Sequence, residues 1–579
     1  MSGFGTALSA EDLNRWHEDR LHQLVHSIQD KYDPELRLYR TPFSSPGYHT
    51  RIKQAEYVHG TNPNTIYALA LLDSGVHEYT QRACEVLESI VSLQDTDRSS
   101  ATFGVWPWFY EEPLSEMAPP DWNWADFIGK NLLLALKRHA EQLPGPLRGS
   151  MRQAVARAAD AIVKRDVGPS YTNIAIMGAF VTVIGGELLE RADYTAYGLQ
   201  RLEKLRTYTT ALGAFQEYNS PTYATITIVE LSKLRLETKL EPVKELCDDM
   251  LDMAWKMVAE HFHASTGEWA GPHSRSYGTL LKHEIKAFLQ MATSGTVYYA
   301  PWQQMHYSAE WYRSGATCPA KYAAHFRESA ARTVYERFMK YEKTGIEKWA
   351  YCHITPQFAL GSFTREIMWN QCRSLVAYFT NNGAATYMHV RFLNDGGDFS
   401  SALLHSLQSE GHVLFGLNLF TNGGNAHPVL DPTNGTLVSS DLRIRFEFGG
   451  VMDGVEADLD DGRNVRVRIS ELTAAIHLAY SAFEEERNSD AAILHPPYWD
   501  IHREPGKLCV DYVLYAGQEK KFDLGSIQKA AAIFALSISQ TGGPHMTVSV
   551  SEQPHGVIAS CRVDNHSLSV TMHVKPCDV

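Results

Sequence analysis

The chain has 579 residues, more than one hydrophobic core normally organises, so we expect two large structural units. Hydrophobic residues make up 44% and charged residues 21%, an ordinary globular composition that excludes a mainly disordered chain. The formal net charge of -14 disfavours nonspecific binding to nucleic acid or anionic lipid, so the expected partner is a small molecule or a saccharide.

Targeting signals and cysteine usage indicate the compartment. Residues 1–20 lack the basic stretch and apolar run of a secretion signal. No apolar run is long enough to span a membrane, so we expect no membrane partner. The eight cysteines form no C-x-x-C pair and no framework spacing. Together these features predict a cytoplasmic protein with reduced thiols.

Helical periodicity dominates the first part of the chain. Met151, Val155, Ala158 and Ile162 illustrate it, with apolar residues on one helical face. Short breaks containing proline or glycine separate such segments, which predicts antiparallel helix hairpins. We therefore predict an (α/α) toroid over residues 1–345. Its helical segments lie at roughly 10–30, 62–74, 77–95, 122–143, 148–165, 171–190, 194–212, 221–237, 241–262 and 319–341.

After residue 345 the hydrophobic period changes to two. Ile444, Phe446 and Phe448 alternate with polar residues, as expected of half-buried strands. Turn dipeptides punctuate the region, including Asp461-Gly462 and Gly542-Gly543. Residues 346–579 are therefore predicted to form an antiparallel β-sandwich, which makes the whole chain an α+β multidomain protein. The same alternation recurs at Val465, Val467 and Ile469 and at Leu568, Val570, Met572 and Val574.

Tryptophans concentrate between two predicted helices. Trp106, Trp108, Trp122 and Trp124 are four of the 12 tryptophans in the chain. Flat aromatic faces bind sugar rings and other ring systems, so we predict that these residues bind substrate. The structural alternative is that they cover a helix end.

Two predicted helix starts carry polar groups. Asn173 opens the helix at 171–190, where an amide suits a carboxylate or carbonyl oxygen, although it could equally be an ordinary cap. Glu217, Asn219 and Tyr223 precede and open the helix at 221–237. This second group is the densest set of possible catalytic or substrate-binding side chains. Its alternative is a capped turn with buried tyrosines.

A third group, His273, Arg275 and Tyr277, alternates with small residues, which would place the three on one side of an extended segment. An arginine beside a tyrosine is expected to lower the phenol pKa and make the tyrosine a usable base. His353 begins the β region and is a further candidate for binding substrate. Ion pairing and an ordinary strand histidine are the structural alternatives.

Three motifs carry a resemblance: Y-T-N-I at 171–174, E-Y-N-S-P-T-Y at 217–223 and G-P-H-S-R-x-Y at 271–277. With the order of helices and strands, they resemble the heparinase, chondroitinase and alginate lyase class of polysaccharide lyases. That resemblance implies β-elimination on a uronate-containing saccharide. It also implies that Asn173 holds the substrate carboxylate, that His273 and Arg275 assist, and that Tyr223 or Tyr277 moves the proton.

Elimination needs a group that neutralises the carboxylate, a base for the α proton and an acid for the leaving oxygen. Amide, imidazole, guanidinium and phenol supply these functions, so we expect neither a metal nor a cofactor. The pair His261 and His263 lacks a clear third ligand for zinc.

Three other functions stay open. A glycoside hydrolase on the same scaffold would use two carboxylates, such as Asp126 and Glu217. An intracellular biosynthetic cyclase or isomerase would act on a small hydrophobic intermediate in the aromatic cleft, because fold alone does not fix function. A noncatalytic carbohydrate-binding role is the last class.

Overall fold

A computed structural model describes residues 7–485, 496–540, 546–554, 556–563 and 566–578. It contains both helices and antiparallel sheets, so the protein is of the α+β class. The predicted turn at Gly542-Gly543 lies outside the described residues.

Long helices occupy the first half of the described chain. Nine of the ten predicted helical segments are confirmed, with boundaries that differ by a few residues. The α-helices are α1 (Ala10–Ile28), α2 (Thr61–Asp73), α3 (Thr80–Ser92), α4 (Trp124–His139), α5 (Gly145–Arg165), α6 (Thr172–Leu189), α7 (Ala192–Leu212), α8 (Pro221–Glu237), α9 (Glu241–His261) and α10 (His283–Ala292).

Local sequence explains where several helices begin. Ser9 caps α1 by accepting a hydrogen bond from the Asp12 amide, and Ser220 caps α8 through the Tyr223 amide. Pro221 follows the cap of α8, where the missing N–H of proline costs nothing. Helix α10 was not predicted, because its ten residues are too few for a clear periodic pattern.

The helix predicted over 319–341 is wrong. Ala320–Phe326 forms a short 3-10 helix, and Arg332–Lys340 is a strand. Val334 and Phe338 are the buried residues of this strand, and a spacing of four fits both a helical face and one face of a strand. The strands therefore begin before the predicted boundary at residue 345.

Short strands lie among the helices and long strands follow them. The strands are β1 (Tyr32–Asp33), β2 (Leu38–Tyr39), β3 (Thr41–Pro42), β4 (Tyr57–Val58), β5 (Phe262–His263), β6 (Glu268–Trp269), β7 (Arg332–Lys340), β8 (Glu347–Ile354), β9 (Phe358–Phe363), β10 (Arg365–Ile367), β11 (Leu375–Asn381), β12 (Ala384–Asn394), β13 (Gly397–Asp398), β14 (Ala402–Ser409), β15 (His412–Leu419), β16 (Thr436–Gly450), β17 (Glu456–Asp460), β18 (Asn464–Ile469), β19 (Leu472–Glu485), β20 (Tyr498–Glu504), β21 (Lys507–Asp523), β22 (Ile527–Gln540), β23 (Val548–Gln553), β24 (Gly556–Val563) and β25 (His566–His573).

The long strands form three sheets. A nine-stranded sheet has the order β20-β21-β16-β12-β11-β9-β8-β7, with β13 beside β12. A seven-stranded sheet has the order β10-β14-β15-β22-β19-β18-β17, and β23-β24-β25 form the third. The predicted alternation is confirmed in β16, where Ile444, Phe446 and Phe448 are buried. Asp461-Gly462 forms the predicted turn between β17 and β18, with both residues at positive φ.

The apolar faces of these elements meet in separate cores. Residues of the nine-stranded and seven-stranded sheets share one core, and the helices enclose another. Helix α6 contacts α4, α5, α7 and α8. By length and composition α6 is apolar enough to cross a membrane, but 83% of its apolar window is buried, as in the core helix of a globular protein.

The nine-stranded sheet touches the loop that follows β6. A Cβ atom on Gly361 of β9 would lie 2.0 Å from the Gly271 carbonyl oxygen, and one on Gly271 would lie 2.2 Å from the Val376 side chain. His273 and Arg373 also form a backbone bridge here. Only glycine permits this approach, which fixes the 271–278 loop against the sheet.

A buried ion network joins α4, α8 and the segment before β7. Lys130 Nζ lies 2.7 Å from carboxylate oxygens of Glu230 and Glu310, and Lys233 Nζ lies 3.3 Å from Glu230. Lys130, Lys233 and Glu230 are buried, so solvent screens their charges little and removing one leaves the others uncompensated.

We predict that Glu230→Gln lowers the free energy of unfolding by about 3 kcal/mol, because two buried ammonium groups then lose a shared carboxylate. Urea denaturation measures the change. Asp249→Asn is the control, since it breaks an exposed pair with Arg206 and should cost less than about 1 kcal/mol. Equal effects of the two variants would contradict the prediction.

Candidate active site

A cleft of about 450 Å³ lies between the helices and the segment that precedes β16. Both halves of the chain contribute to it. Its lining residues are Tyr48, His49, Trp108, Asp121, Asn123, Trp124, Phe127, Tyr171, Asn173, Ile174, Tyr223, Arg275, Tyr277, Gln371, His427, Val429 and Leu430.

Four of the five predicted catalytic residues line this cleft. Asn173 lies in the first turn of α6 and Tyr223 in the first turn of α8, while Arg275 and Tyr277 come from the 271–278 loop. The starts of two helices and one loop therefore bring together residues that are about fifty positions apart in sequence.

Two phenols and a guanidinium form the centre of the site. The hydroxyl oxygens of Tyr223 and Tyr277 are 2.8 Å apart, so one donates a hydrogen bond to the other. The Arg275 guanidinium carbon lies 4.1 Å from the centre of the Tyr223 ring, and its Nη2 donates to the Tyr277 hydroxyl at 3.4 Å. This arrangement places two transferable protons beside a fixed positive charge.

Arg275 also lies beside Tyr223, but burial has the larger effect on the acidity of this tyrosine. Burial raises the pKa of its phenol well above the usual value, and the opposing effect of Arg275 is smaller. Tyr223 therefore keeps its proton at neutral pH and suits the role of an acid. Tyr277 differs in being 41% exposed.

Glu217 lies behind the cleft and is not among its lining residues. Its carboxylate accepts a hydrogen bond of 3.0 Å from the backbone N–H of Asn173 and one of 3.4 Å from Arg275 Nη1. Burial raises the Glu217 pKa, and the Asn173 amide and Arg275 oppose that shift. Glu217 thus positions two cleft residues instead of contacting a ligand directly, which corrects the prediction that it binds substrate.

The Asn173 side chain does not cap α6. Its amide oxygen is buried and has no hydrogen-bond partner among the described residues. A buried polar atom without a partner is uncommon, and beside a cleft it is available to a bound ligand.

His273 is buried and does not line the cleft, which corrects its predicted catalytic role. Its Nδ1 donates a 2.6 Å hydrogen bond to the Asn219 carbonyl, and burial lowers its pKa to about 3. Asn219 is also buried and donates to the carbonyls of Ala270 and Pro272. Both residues hold the 271–278 loop in place from outside the cleft.

Two of the four tryptophans that were predicted to bind substrate line the cleft. Trp108 and Trp124 line the cleft with ring centres 5.1 Å apart. Trp106 is fully buried and donates to the Ile90 carbonyl, and Trp122 is 36% exposed and donates to Ala101 outside the cleft. His353 lies in β8, where it pairs with Thr333, and it also lies outside the cleft. Local clustering of tryptophans could not separate core positions from cleft positions.

Two histidines line the cleft that sequence reasoning missed. Nδ1 of His49 is 2.6 Å from the Pro119 carbonyl oxygen, so Nδ1 carries a proton and donates it in this hydrogen bond. The backbone of His49 has a φ of 62°, which is unusual for a residue with a side chain. Its ring centre lies 5.0 Å from that of Trp108. Nε2 is therefore the ring nitrogen of His49 that is left to accept a proton.

His427 has the opposite tautomer. Its Nδ1 accepts hydrogen bonds from the amides of Val429 at 3.1 Å and Leu430 at 3.0 Å, so the ring proton lies on Nε2. Burial lowers the pKa of His427, which keeps the ring neutral. Nε2 is then a hydrogen-bond donor. Nothing in the local sequence marks either histidine, because the partners of each are backbone groups brought close by loop folding.

Gln371 also went unpredicted. Its amide oxygen accepts from Arg275 Nε at 3.2 Å and from Nη2 at 3.0 Å. The guanidinium is therefore held from the helical side by Glu217 and from the strand side by Gln371.

Groups able to bind a metal lie elsewhere. In the described parts of the chain they are on β20 and β21, where His502 is shared by two clusters that include Glu504 and Asp511. Arg443 and Arg445 already pair with Asp511, which leaves little need for a cation. His261 and His263, the weak zinc candidate, bond to protein groups outside the cleft.

The carboxylate pair proposed for a hydrolase does not face the cleft. Asp126 is buried in α4 and, like Glu217, is not a lining residue. One Asp126 oxygen has no hydrogen-bond partner among the described residues, and burial raises its pKa to about 7. The geometry therefore does not favour two carboxylates flanking one bond.

We predict that Asp126→Asn alters the pH dependence of stability. Because the folded state raises the Asp126 pKa from 3.8 to about 7, ionisation opposes folding progressively as the pH rises through that window. The variant should nearly match the native protein at pH 4 and exceed its unfolding free energy by roughly 4 kcal/mol at pH 8. Denaturant titrations at both pH values measure this, and a constant difference would refute the assignment.

One family model matches part of this chain. A family model described as a domain of unknown function (DUF8769) matches residues 29–308, a range that includes the cleft residues from Tyr48 to Tyr277. A search of curated proteins finds no match.

A search of solved structures finds several that are similar to this chain. The crystal structure of heparinase III shows 10% identity and a TM-score of 0.47, covering 99% of this chain and 92% of that one. The Streptomyces coelicolor A3 chondroitin AC lyase, in complex with chondroitin sulphate, shows 10% identity and a TM-score of 0.42, covering 99% and 96%. The heparan sulfate lyase HepC mutant from Pedobacter heparinus shows 9% identity and a TM-score of 0.37, covering 98% and 95%. These three structures belong to the class of proteins that the sequence motifs resemble.

Proposed function

We propose that this protein is a carbon–oxygen lyase that removes a proton beside a carboxylate and expels an oxygen from the neighbouring carbon. The observation that carries the proposal is the paired hydroxyls of Tyr223 and Tyr277, 2.8 Å apart beneath the Arg275 guanidinium in one cleft. The expected substrate is a uronate-containing saccharide or a related small molecule.

Binding begins with the substrate carboxylate. Arg275 supplies the positive charge. The side-chain NH₂ group of Asn173, which lines the same cleft, supplies a neutral hydrogen bond. Trp108 and Trp124 offer flat faces to a sugar ring. Neutralising the carboxylate makes the adjacent C–H more acidic, because negative charge develops on that group as the proton leaves.

Proton transfer then needs a base and an acid. In the proposed step, Nε2 of His49 takes the proton, the C–H electrons form a carbon–carbon double bond, and the C–O bond breaks. Tyr223 gives its proton to the departing oxygen and regains one from Tyr277 or solvent. The tautomer of His49 and the raised pKa of Tyr223 support these roles. His427 Nε2–H donates to a substrate oxygen.

We also propose a more detailed architecture for this α+β protein. We infer that successive helix pairs, such as α4 with α5 and α6 with α7, curl into an (α/α) toroid. The two long sheets, which share one core, would form the antiparallel sandwich. The division near residue 345 into toroid and sandwich and a cytoplasmic location belong to the same proposal.

A second function has one specific observation in its favour. Val429 is 76% exposed, and it lines the cleft together with Leu430, Phe127 and the two tryptophans. Exposed apolar residues at a cleft suit a hydrophobic substrate. A cyclase or isomerase using the same acid and base is therefore the alternative.

One assay separates these functions. The purified chain is incubated with heparan sulfate, chondroitin sulfate, alginate and their oligosaccharides, and products are followed by ultraviolet absorbance and mass. Elimination creates an unsaturated uronate with new absorbance, hydrolysis adds water, and isomerisation of a hydrophobic compound leaves mass unchanged. Saccharide products that carry added water and no new absorbance would refute the lyase proposal.

We predict that Tyr223→Phe lowers kcat by about 10²–10⁴-fold, the usual contribution of a positioned acid. Tyr277→Phe should mainly raise KM, because this partly exposed hydroxyl supports Tyr223 and contacts substrate. Steady-state kinetics on the active substrate measure both. The matched control is Tyr110→Phe, which removes a hydroxyl from an exposed tyrosine outside the cleft. Full activity in both cleft variants would exclude the phenol pair from the reaction.

We also predict that Trp108→Ala weakens substrate binding by about 1–3 kcal/mol, the scale of losing a buried aromatic contact. Trp122→Ala is its control, because that ring lies outside the cleft. Equilibrium binding of a non-reactive substrate analogue compares them, and equal losses would show that Trp108 acts only through folding.

A further inference from the structure

A second cavity, of about 530 Å³, lies between the seven-stranded and three-stranded sheets. Strands β10, β14 and β15 form one side, and β24 and β25 form the other. Its volume is in the range of small-molecule binding sites. The cavity shares no lining residue with the cleft, so what it binds is independent of the proposed lyase function.

Apolar side chains dominate the inner surface of this cavity. Leu403, Phe420, Val557 and Met572 are buried residues that also line it. Val557 and Met572 belong to the core between the two sheets, which holds that part of the wall in place. Such a surface accommodates an apolar ring or a short chain.

A single guanidinium, that of Arg365, lies among these lining residues. No hydrogen bond, ion pair or ring contact joins its side chain to another described residue. By contrast, Arg391 and Arg445 of the nine-stranded sheet each pair with carboxylates. The chain has a net charge of -14, so carboxylates are plentiful in it. A half-buried arginine that pairs with none of them is therefore a candidate binding group.

The polar neighbours of Arg365 are neutral or occupied. His405 stands opposite it in the β10–β14 register, and His405 Nε2 donates to the Asn418 amide oxygen at 3.3 Å. Burial and the nearby Arg365 lower the His405 pKa to about 4, so this ring carries no charge at neutral pH. Asp578 is exposed and accepts a hydrogen bond from Thr421.

We propose that the cavity binds a small organic carboxylate, with its apolar body against Leu403, Phe420 and Met572 and its carboxylate on Arg365. The complementarity is both electrostatic and geometric. A planar guanidinium bonds a carboxylate through two parallel hydrogen bonds, and an apolar surround strengthens such a pair. A neutral His405 beside it adds no competing charge.

The test uses benzoate and benzyl alcohol, which match in size and differ in charge, titrated into the full chain by ligand-observed NMR. We expect benzoate to bind at least about tenfold more tightly than the alcohol, the scale of a charged hydrogen bond. Arg365→Gln should remove that preference. Arg562→Gln should keep it, since Arg562 lies on β24 outside the cavity lining.

Two further variants locate the bound molecule. Thr571→Trp places a large ring at the cavity and should abolish binding of both probes, while the melting temperature reports whether it folds. Arg275→Gln alters only the cleft and should leave benzoate binding unchanged. The proposal is overturned if both probes bind equally, if Arg275→Gln alone removes the preference for benzoate, or if glucuronate binds more tightly than benzoate.

Discussion

The site depends on one buried carboxylate. Glu217 accepts a hydrogen bond from the Asn173 amide at the start of α6 and another from Arg275 in the 271–278 loop. These segments have no covalent reason to be adjacent. Because burial makes an unpaired carboxylate costly, Glu217 is stable only when both donors are in place. The pairing therefore couples the folding of the helical region to the geometry of the cleft.

Contact between the helical region and the nine-stranded sheet completes that geometry. Gly361 lets β9 approach the Gly271 backbone, and the sheet then supplies Gln371 to the opposite side of Arg275. His427 reaches the same cleft from the segment before β16. Neither half of the chain has a complete site alone, which is why the cleft combines helix starts with strand connections.

Hydrogen bonding to backbone groups sets the chemistry of the imidazoles. Pro119 fixes the proton of His49 on Nδ1, and the amides of Val429 and Leu430 fix that of His427 on Nε2. The two rings therefore present different nitrogens for hydrogen bonding. Burial keeps Tyr223 protonated in the same cleft. The proposed reaction uses this difference, with His49 as the base and Tyr223 as the acid.

The helices, the change to strands and six residues of the cleft were predictable from the sequence alone. They follow from local rules, since periodicity, caps and turn residues act over a few positions. Trp124, Asn173 and Tyr223 lie at helix starts, and Trp108, Arg275 and Tyr277 lie in loops. The same local pattern assigned β7 to a helix, because Val334 and Phe338 are four residues apart, a spacing that fits both a helix and a strand. It also misplaced His273 and Trp106, whose side chains face the core. Contacts in the folded chain determine which polar groups are buried, place Glu217 behind the cleft, and bring His49 and His427 to it. Those outcomes depend on contacts between residues distant in sequence, for which a single chain read locally carries no signal.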